Sequence, residues 1–112
     1  DAVLIVSTPQ DLALIDARRA LSLFRTLGTP VIGLVGNMSL FTCPRCGQPS
    51  AIFGAGGVEA AAAAEGLPLL ARLPLDPAIR AASDAGVPAP GEPFAALAAA
   101  VTERLEEMAD AA

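Results

Sequence analysis

The sequence predicts an α/β fold: an open, mostly parallel sheet of three strands, about four helices, and one long cysteine-bearing loop. Two observations carry that expectation. Short apolar runs alternate with segments of helical period along the whole chain. The first two runs, 2–7 and 30–35, carry almost no polar residue, as expected of strands buried on both faces of a parallel sheet.

Ala2 to Ser7 is the first strand, and a chain that begins on a buried strand is expected to start mid-domain. Thr8-Pro9-Gln10-Asp11 reads as a helix start, with Thr8 as the cap, Pro9 in the first helical position and Asp11 favouring the dipole. Leu14, Ala17, Leu21 and Phe24 share one helical face, and Gly28 ends the helix. Pro30 to Val35 is the second strand, and the strand–helix–strand order implies a right-handed parallel crossover. Residues 36–57 hold Asn37, both cysteines and several Gly and Pro, with little periodicity. Excursions of this length from a compact fold usually serve function. A helix follows at about 58–65, ended by Gly66. Leu67 to Leu73 is the third strand. Asp76 caps a short helix that has Pro77 inside it. Gly86 to Pro93 is a Pro/Gly-rich surface segment. The last helix places Phe94, Leu97, Val101, Leu105 and Met108 at helical spacing, with Glu103, Arg104, Glu106 and Glu107 facing water.

Composition bounds the function. The 112 residues suit one small domain, and 54% of them are hydrophobic. No apolar run reaches the roughly 18 residues of a membrane-spanning helix. No basic region precedes a hydrophobic stretch at Asp1, so no signal peptide is expected. The net charge is −5 and the seven basic residues are all Arg. That balance argues against nucleic acid or an anionic membrane as partner. Without Lys, the chain cannot contain a phosphate-binding P-loop of its own. Two cysteines three positions apart are no disulfide scaffold, and the expected compartment is the reducing cytoplasm.

Cys43-Pro44-Arg45-Cys46-Gly47 is the sharpest motif. Two intervening residues let both sulfurs point to one side of a tight turn. Thiolate pairs of this kind bind zinc or iron–sulfur clusters. Such sites normally want four ligands, and the chain has two Cys and no His. A symmetric dimer would supply the other pair. The competing reading is a pair of incidental cysteines. A thioredoxin-like redox pair fits less well, because this CxxC does not open a helix after a strand. Asn37 directly follows the second strand, where open parallel sheets bind ligands. Its amide could meet a purine edge, or it could simply turn the chain. Thr8-Pro9-Gln10 and Pro74-Leu75-Asp76-Pro77 fall on the same sheet edge.

The strings Val6-Ser7-Thr8-Pro9-Gln10-Asp11, Ala13-Leu14-Ile15-Asp16-Ala17-Arg18, Gly36-Asn37-Met38-Ser39, Cys43-Pro44-Arg45-Cys46-Gly47, Ile52-Phe53-Gly54-Ala55-Gly56-Gly57 and Leu73-Pro74-Leu75-Asp76-Pro77 carry a family likeness. In order and spacing they resemble the C-terminal part of the Mrp/ApbC family of MinD-like P-loop ATPases, the iron–sulfur cluster carriers. The resemblance covers nearly the whole chain. It implies that 1–112 is the C-terminal portion of a doubly wound P-loop ATPase domain, with its CxxC loop at about 36–57. It also implies a cytosolic homodimer that binds ATP with Mg and hydrolyses it slowly when full-length. A labile 4Fe–4S cluster would be held between two subunits and passed to apo iron–sulfur proteins.

On this resemblance Cys43 and Cys46 are bridging cluster ligands, and zinc is a substitute occupant. Asn37 is the adenine contact, with Pro74, Leu75 and Asp76 flanking the base. The chain departs from the family pattern at Gly36, where Glu is usual. It also lacks the P-loop lysines, the switch segments and the first strands, so alone it should neither hydrolyse ATP nor bind it tightly. The alternative is a non-catalytic zinc-binding module that dimerises through the Cys43–Cys46 loop.

Overall fold

The computed structural model describes residues 1–88 and 91–111. In chain order the elements are β1 (Val3–Ser7), α1 (Asp11–Leu27), β2 (Val31–Gly36), β3 (Phe41–Thr42), β4 (Pro49–Ser50), α2 (Gly57–Glu65), β5 (Leu69–Arg72), α3 (Pro77–Ala85) and α4 (Glu92–Ala111). Strands β1, β2 and β5 form a parallel sheet in that order. The three expected strands and four helices are therefore present. Within the expected Gly86–Pro93 surface segment, Ala89 and Pro90 lie outside the described residues.

One sheet face builds the core. Ile5 of β1 stands in register with Leu34 of β2. Both pack with Leu14 and Leu21 of α1 and with Val58, Ala61 and Ala62 of α2. Leu14 and Leu21 are seven residues apart, two helical turns, which puts them on one stripe. Gly57 lets α2 approach the β1–α1 turn: a Cβ there would lie 2.8 Å from the Pro9 carbonyl oxygen and 3.0 Å from Leu14 Cδ1.

The second face is covered only in part. Side chains alternate along a strand, so Val6 and Val35, the next pair in register, point the other way. Val35 is fully buried, whereas Val6 is 53% exposed. Helix α4 explains the difference, because it packs on β5 and β2. No helix among the described residues is long and apolar enough to cross a membrane.

Three local expectations need correction. Helix α1 starts at Asp11 with Gln10 as its N-cap, and no side chain caps it. Thr8 instead directs its hydroxyl to Gln10 Oε1 at 2.9 Å, and Pro9 precedes the helix. The 36–57 segment is not wholly irregular, since β3 and β4 pair antiparallel, Phe41 with Ser50 and Thr42 with Pro49. On α4, Arg104 is half-buried and not simply facing water: its Nε donates to the Ile32 carbonyl at 3.2 Å, and Leu105 is the exposed neighbour.

Candidate metal-binding hairpin and adjoining cleft

The site is assembled where the three parallel strands end. The Asn37 N–H donates to the Ser7 carbonyl at 2.8 Å, tying the end of β2 to the end of β1. Leu73 N–H donates to Gly36 O at 2.6 Å, and Ser39 N–H to Leu73 O at 3.0 Å. These bonds bring the segments after β1, β2 and β5 to one edge, as the sequence predicted. The β3–β4 hairpin rises from that edge, anchored by Leu75 N–H donating to Leu40 O at 2.9 Å.

Cys43 and Cys46 sit in the hairpin tip. Gly47 N–H donates to the Cys43 carbonyl at 2.9 Å, and Cys43 N–H donates to the Gln48 carbonyl at 3.1 Å. Gly47 adopts φ +71°, the left-handed region that glycine enters without steric cost. The turn aims backbone N–H groups at the first sulfur. The Cys46 N–H, then the Arg45 N–H, then the Cys46 thiol hold the Cys43 thiol below its usual range against a small opposing effect of burial. Both cysteines are free; Cys43 is partly exposed and Cys46 exposed. Among the described residues no cluster of three or more His, Cys, Asp or Glu could hold a metal. The hairpin thus offers two soft, preorganised donors of one chemical kind, half of a tetrahedral set.

The other sequence-singled residues divide. Pro74, Leu75 and Asp76 line a hollow of about 150 Å³ together with Thr42 and Pro77. Asp76 is also the N-cap of α3, its Oδ1 accepting from the Ala78 N–H at 2.9 Å. Asn37 is not among the residues of that hollow. Its Oδ1 accepts from the Met38 N–H at 3.0 Å, so its side chain shapes the turn after β2. Met38 there takes φ +53°, unusual for a residue with a side chain.

A larger cleft of about 420 Å³ lies at the hairpin base and was not foreseen. Its walls include Pro9, Leu40, Ala51, Val58 and Leu73, with Glu59 and Arg72 as the charged pair. Arg72 Nε donates to Glu59 Oε1. That guanidinium holds the Glu59 carboxyl below its usual range.

Similar proteins supply the context. Residues 1–110 match the family described as ParA, NUBPL iron-transfer P-loop NTPase. An Arabidopsis thaliana protein named "Iron-sulfur protein required for NADH dehydrogenase, mitochondrial" is 54% identical over 84 residues, 75% of this chain and 27% of that protein. A Methanococcus maripaludis "Iron-sulfur cluster carrier protein" is 48% identical over 88 residues, 79% of this chain and 30% of that one. The matches thus span less than a third of those relatives' lengths. Two solved structures share the fold. The cell division ATPase MinD of Pyrococcus furiosus gives a TM-score of 0.65 at 26% identity, covering 94% of this chain and 42% of that one. An Archaeoglobus fulgidus nucleotide-binding protein in complex with ADP gives 0.63 at 34% identity, covering 74% and 34%. The two solved structures share the α/β fold, and with the family match running over residues 1–110 the chain belongs to the NUBPL iron-transfer family of P-loop NTPases.

Proposed function

We propose that this chain is the C-terminal part of an iron–sulfur cluster carrier, and that Cys43 and Cys46 hold the cluster. The observation that carries the reading is the hairpin tip. It presents two free thiols on one turn, Cys46 exposed and Cys43 partly so, beyond the edge where parallel sheets bind ligands. Two donors per chain suit a 4Fe–4S cluster bridging a homodimer, four thiolates in all. The cargo would pass to apo iron–sulfur proteins, in keeping with relatives named as cluster carriers.

Nucleotide chemistry belongs to the whole protein in this reading. ATP with Mg would bind where the three strands end, with Asn37, Pro74, Leu75 and Asp76 on the adenine side. The ADP complex of the Archaeoglobus fulgidus relative supports nucleotide binding in general terms. Residues 1–112 would be the C-terminal unit of the ATPase domain. Lacking Lys, they supply no P-loop and no hydrolysis by themselves. A cytoplasmic location completes the proposal.

The test is anaerobic reconstitution with iron and sulfide. A broad visible absorbance is expected, lost in Cys43→Ala and in Cys46→Ala, with the loaded species sedimenting as a dimer. A colourless protein that retains about half an equivalent of zinc per chain would instead support the zinc-binding dimerisation module.

A further inference from the structure

We infer that Cys43 and Cys46 close reversibly into an intramolecular disulfide, so that the hairpin tip is a thiol switch able to take metal only when reduced. The consequence for cluster loading rests on the function proposed above; the disulfide itself does not.

Four features of the hairpin lead there. The bond from Gly47 N–H to Cys43 O at 2.9 Å closes a five-residue turn, Cys43 to Gly47, in which the cysteines are the first and fourth residues. A single helical turn sets residues three apart about 5 to 6 Å from one another, and a disulfide allows about 4.4 to 6.8 Å between Cα atoms. Cys43 N–H donates to the Gln48 carbonyl at 3.1 Å, so the chain reverses directly after Cys46 and both thiols belong to the hairpin tip. Oxidant can reach them, because Cys46 is exposed and Cys43 partly so. The tip is also uncrowded, since nothing lies within 4 Å of where a Cβ on Gly47 would stand.

The same geometry argues for reversibility. A bridge across so short a loop removes little chain entropy from the unfolded state, so it adds little stability. Exposed bridges of this kind sit at the easily reduced end of the disulfide range. The pair therefore does not act as a structural staple. It also lacks the strand-to-helix placement of a catalytic dithiol, since it lies between the two-residue strands β3 and β4.

A hydroperoxide is the oxidant. One thiolate sulfur attacks the peroxide oxygen; an S–O bond forms, the O–O bond breaks, and water leaves after protonation in the hydrogen peroxide case. The second thiol then attacks the resulting sulfenic sulfur; the S–S bond forms, the S–O bond breaks, and a second water leaves. Two thiols lose two electrons in total, and one peroxide gains them. A dithiol reductant returns both electrons and restores the two thiols by exchange.

The experiment treats the reduced, metal-free chain with one equivalent of hydrogen peroxide and reads intact mass and iodoacetamide labelling. The expected product is monomeric, lighter by about 2 Da, the two hydrogens of a two-electron oxidation, and free of label. Dithiothreitol should restore full labelling. The Cys46→Ser variant should instead gain oxygen or form a disulfide-linked dimer, having no partner thiol within its own chain. Wild-type protein that gains oxygen, or cross-links between chains as the variant does, overturns the proposal. Reconstitution of the never-oxidised protein reads the cluster function separately. After peroxide, iron uptake should be lost and then recovered with dithiothreitol; uptake that persists while the intramolecular disulfide is intact overturns the switch.

Discussion

Glu59 of α2 and Arg72 at the end of β5 meet at 2.5 Å on the wall of the cleft, joining two elements that are consecutive in the chain after the hairpin. Arg72 keeps the Glu59 carboxyl ionised below its usual range. A carboxylate whose pKa falls on folding contributes stability above its unfolded value of about 4.3 and loses it as pH drops through the lower folded value. The pair is substantially exposed, Arg72 at 62% and Glu59 at 33%, so solvent screens it. Glu59→Gln should therefore cost only about 0.5 kcal/mol at neutral pH. The difference from wild type should shrink as pH falls below about 4. Urea denaturation of both proteins across that range checks it; a difference that grows on acidification contradicts the pairing.

How much of this was legible in the sequence depends on the distance over which each feature is built. The strands at 2–7 and 30–35 and the helix stops at Gly28 and Gly66 rest on neighbouring residues, and each stop does take a left-handed cap. The Asp76 cap was local too. The cysteine pair announced itself because its chemistry depends on spacing alone. Glu59 and Arg72 gave no such signal, since the packing of α2 beside β5 creates their contact. Arg104 misled for a related reason: its helical position reads as solvated, but its long side chain reaches the Ile32 carbonyl of β2. The β3–β4 hairpin was missed because two-residue strands carry no measurable alternation.

Gly57 tests how tightly the site edge is held to the core. Replacing a helical Gly by Ala ordinarily stabilises by about 1 kcal/mol. Here the new methyl would lie 2.8 Å from a backbone carbonyl, that of Pro9, which cannot swing aside as a side chain could. Gly57→Ala should instead destabilise by about 1 to 3 kcal/mol, the usual cost of overpacking. Pro9 and Val58 both line the cleft, so its shape should change as well. Denaturation midpoints for Gly57→Ala decide between the two signs; a stabilised variant refutes the close approach.

The β1 side of the sheet is where this chain should be least content alone. β1 ends the strand order β1-β2-β5, so its outer backbone groups have no strand partner among the described residues. A groove of about 560 Å³ runs between this strand and α1, lined by Val3, Leu4, Ala13, Ala17 and Phe24 among others. Val6 lies uncovered on the second face, and Leu12, Leu23 and Leu27 of α1 face solvent. An unpaired edge beside an apolar face is a template for further strand pairing. The chain should therefore self-associate as concentration rises from micromolar towards millimolar, as sedimentation velocity would report. Val6→Lys places a charge on the open face without entering the Ile5–Leu34 core, and should weaken the association while leaving the fold's circular dichroism unchanged. A wild-type chain that stays monomeric throughout would show that the exposed edge is already protected, against the expectation drawn from its unpaired backbone.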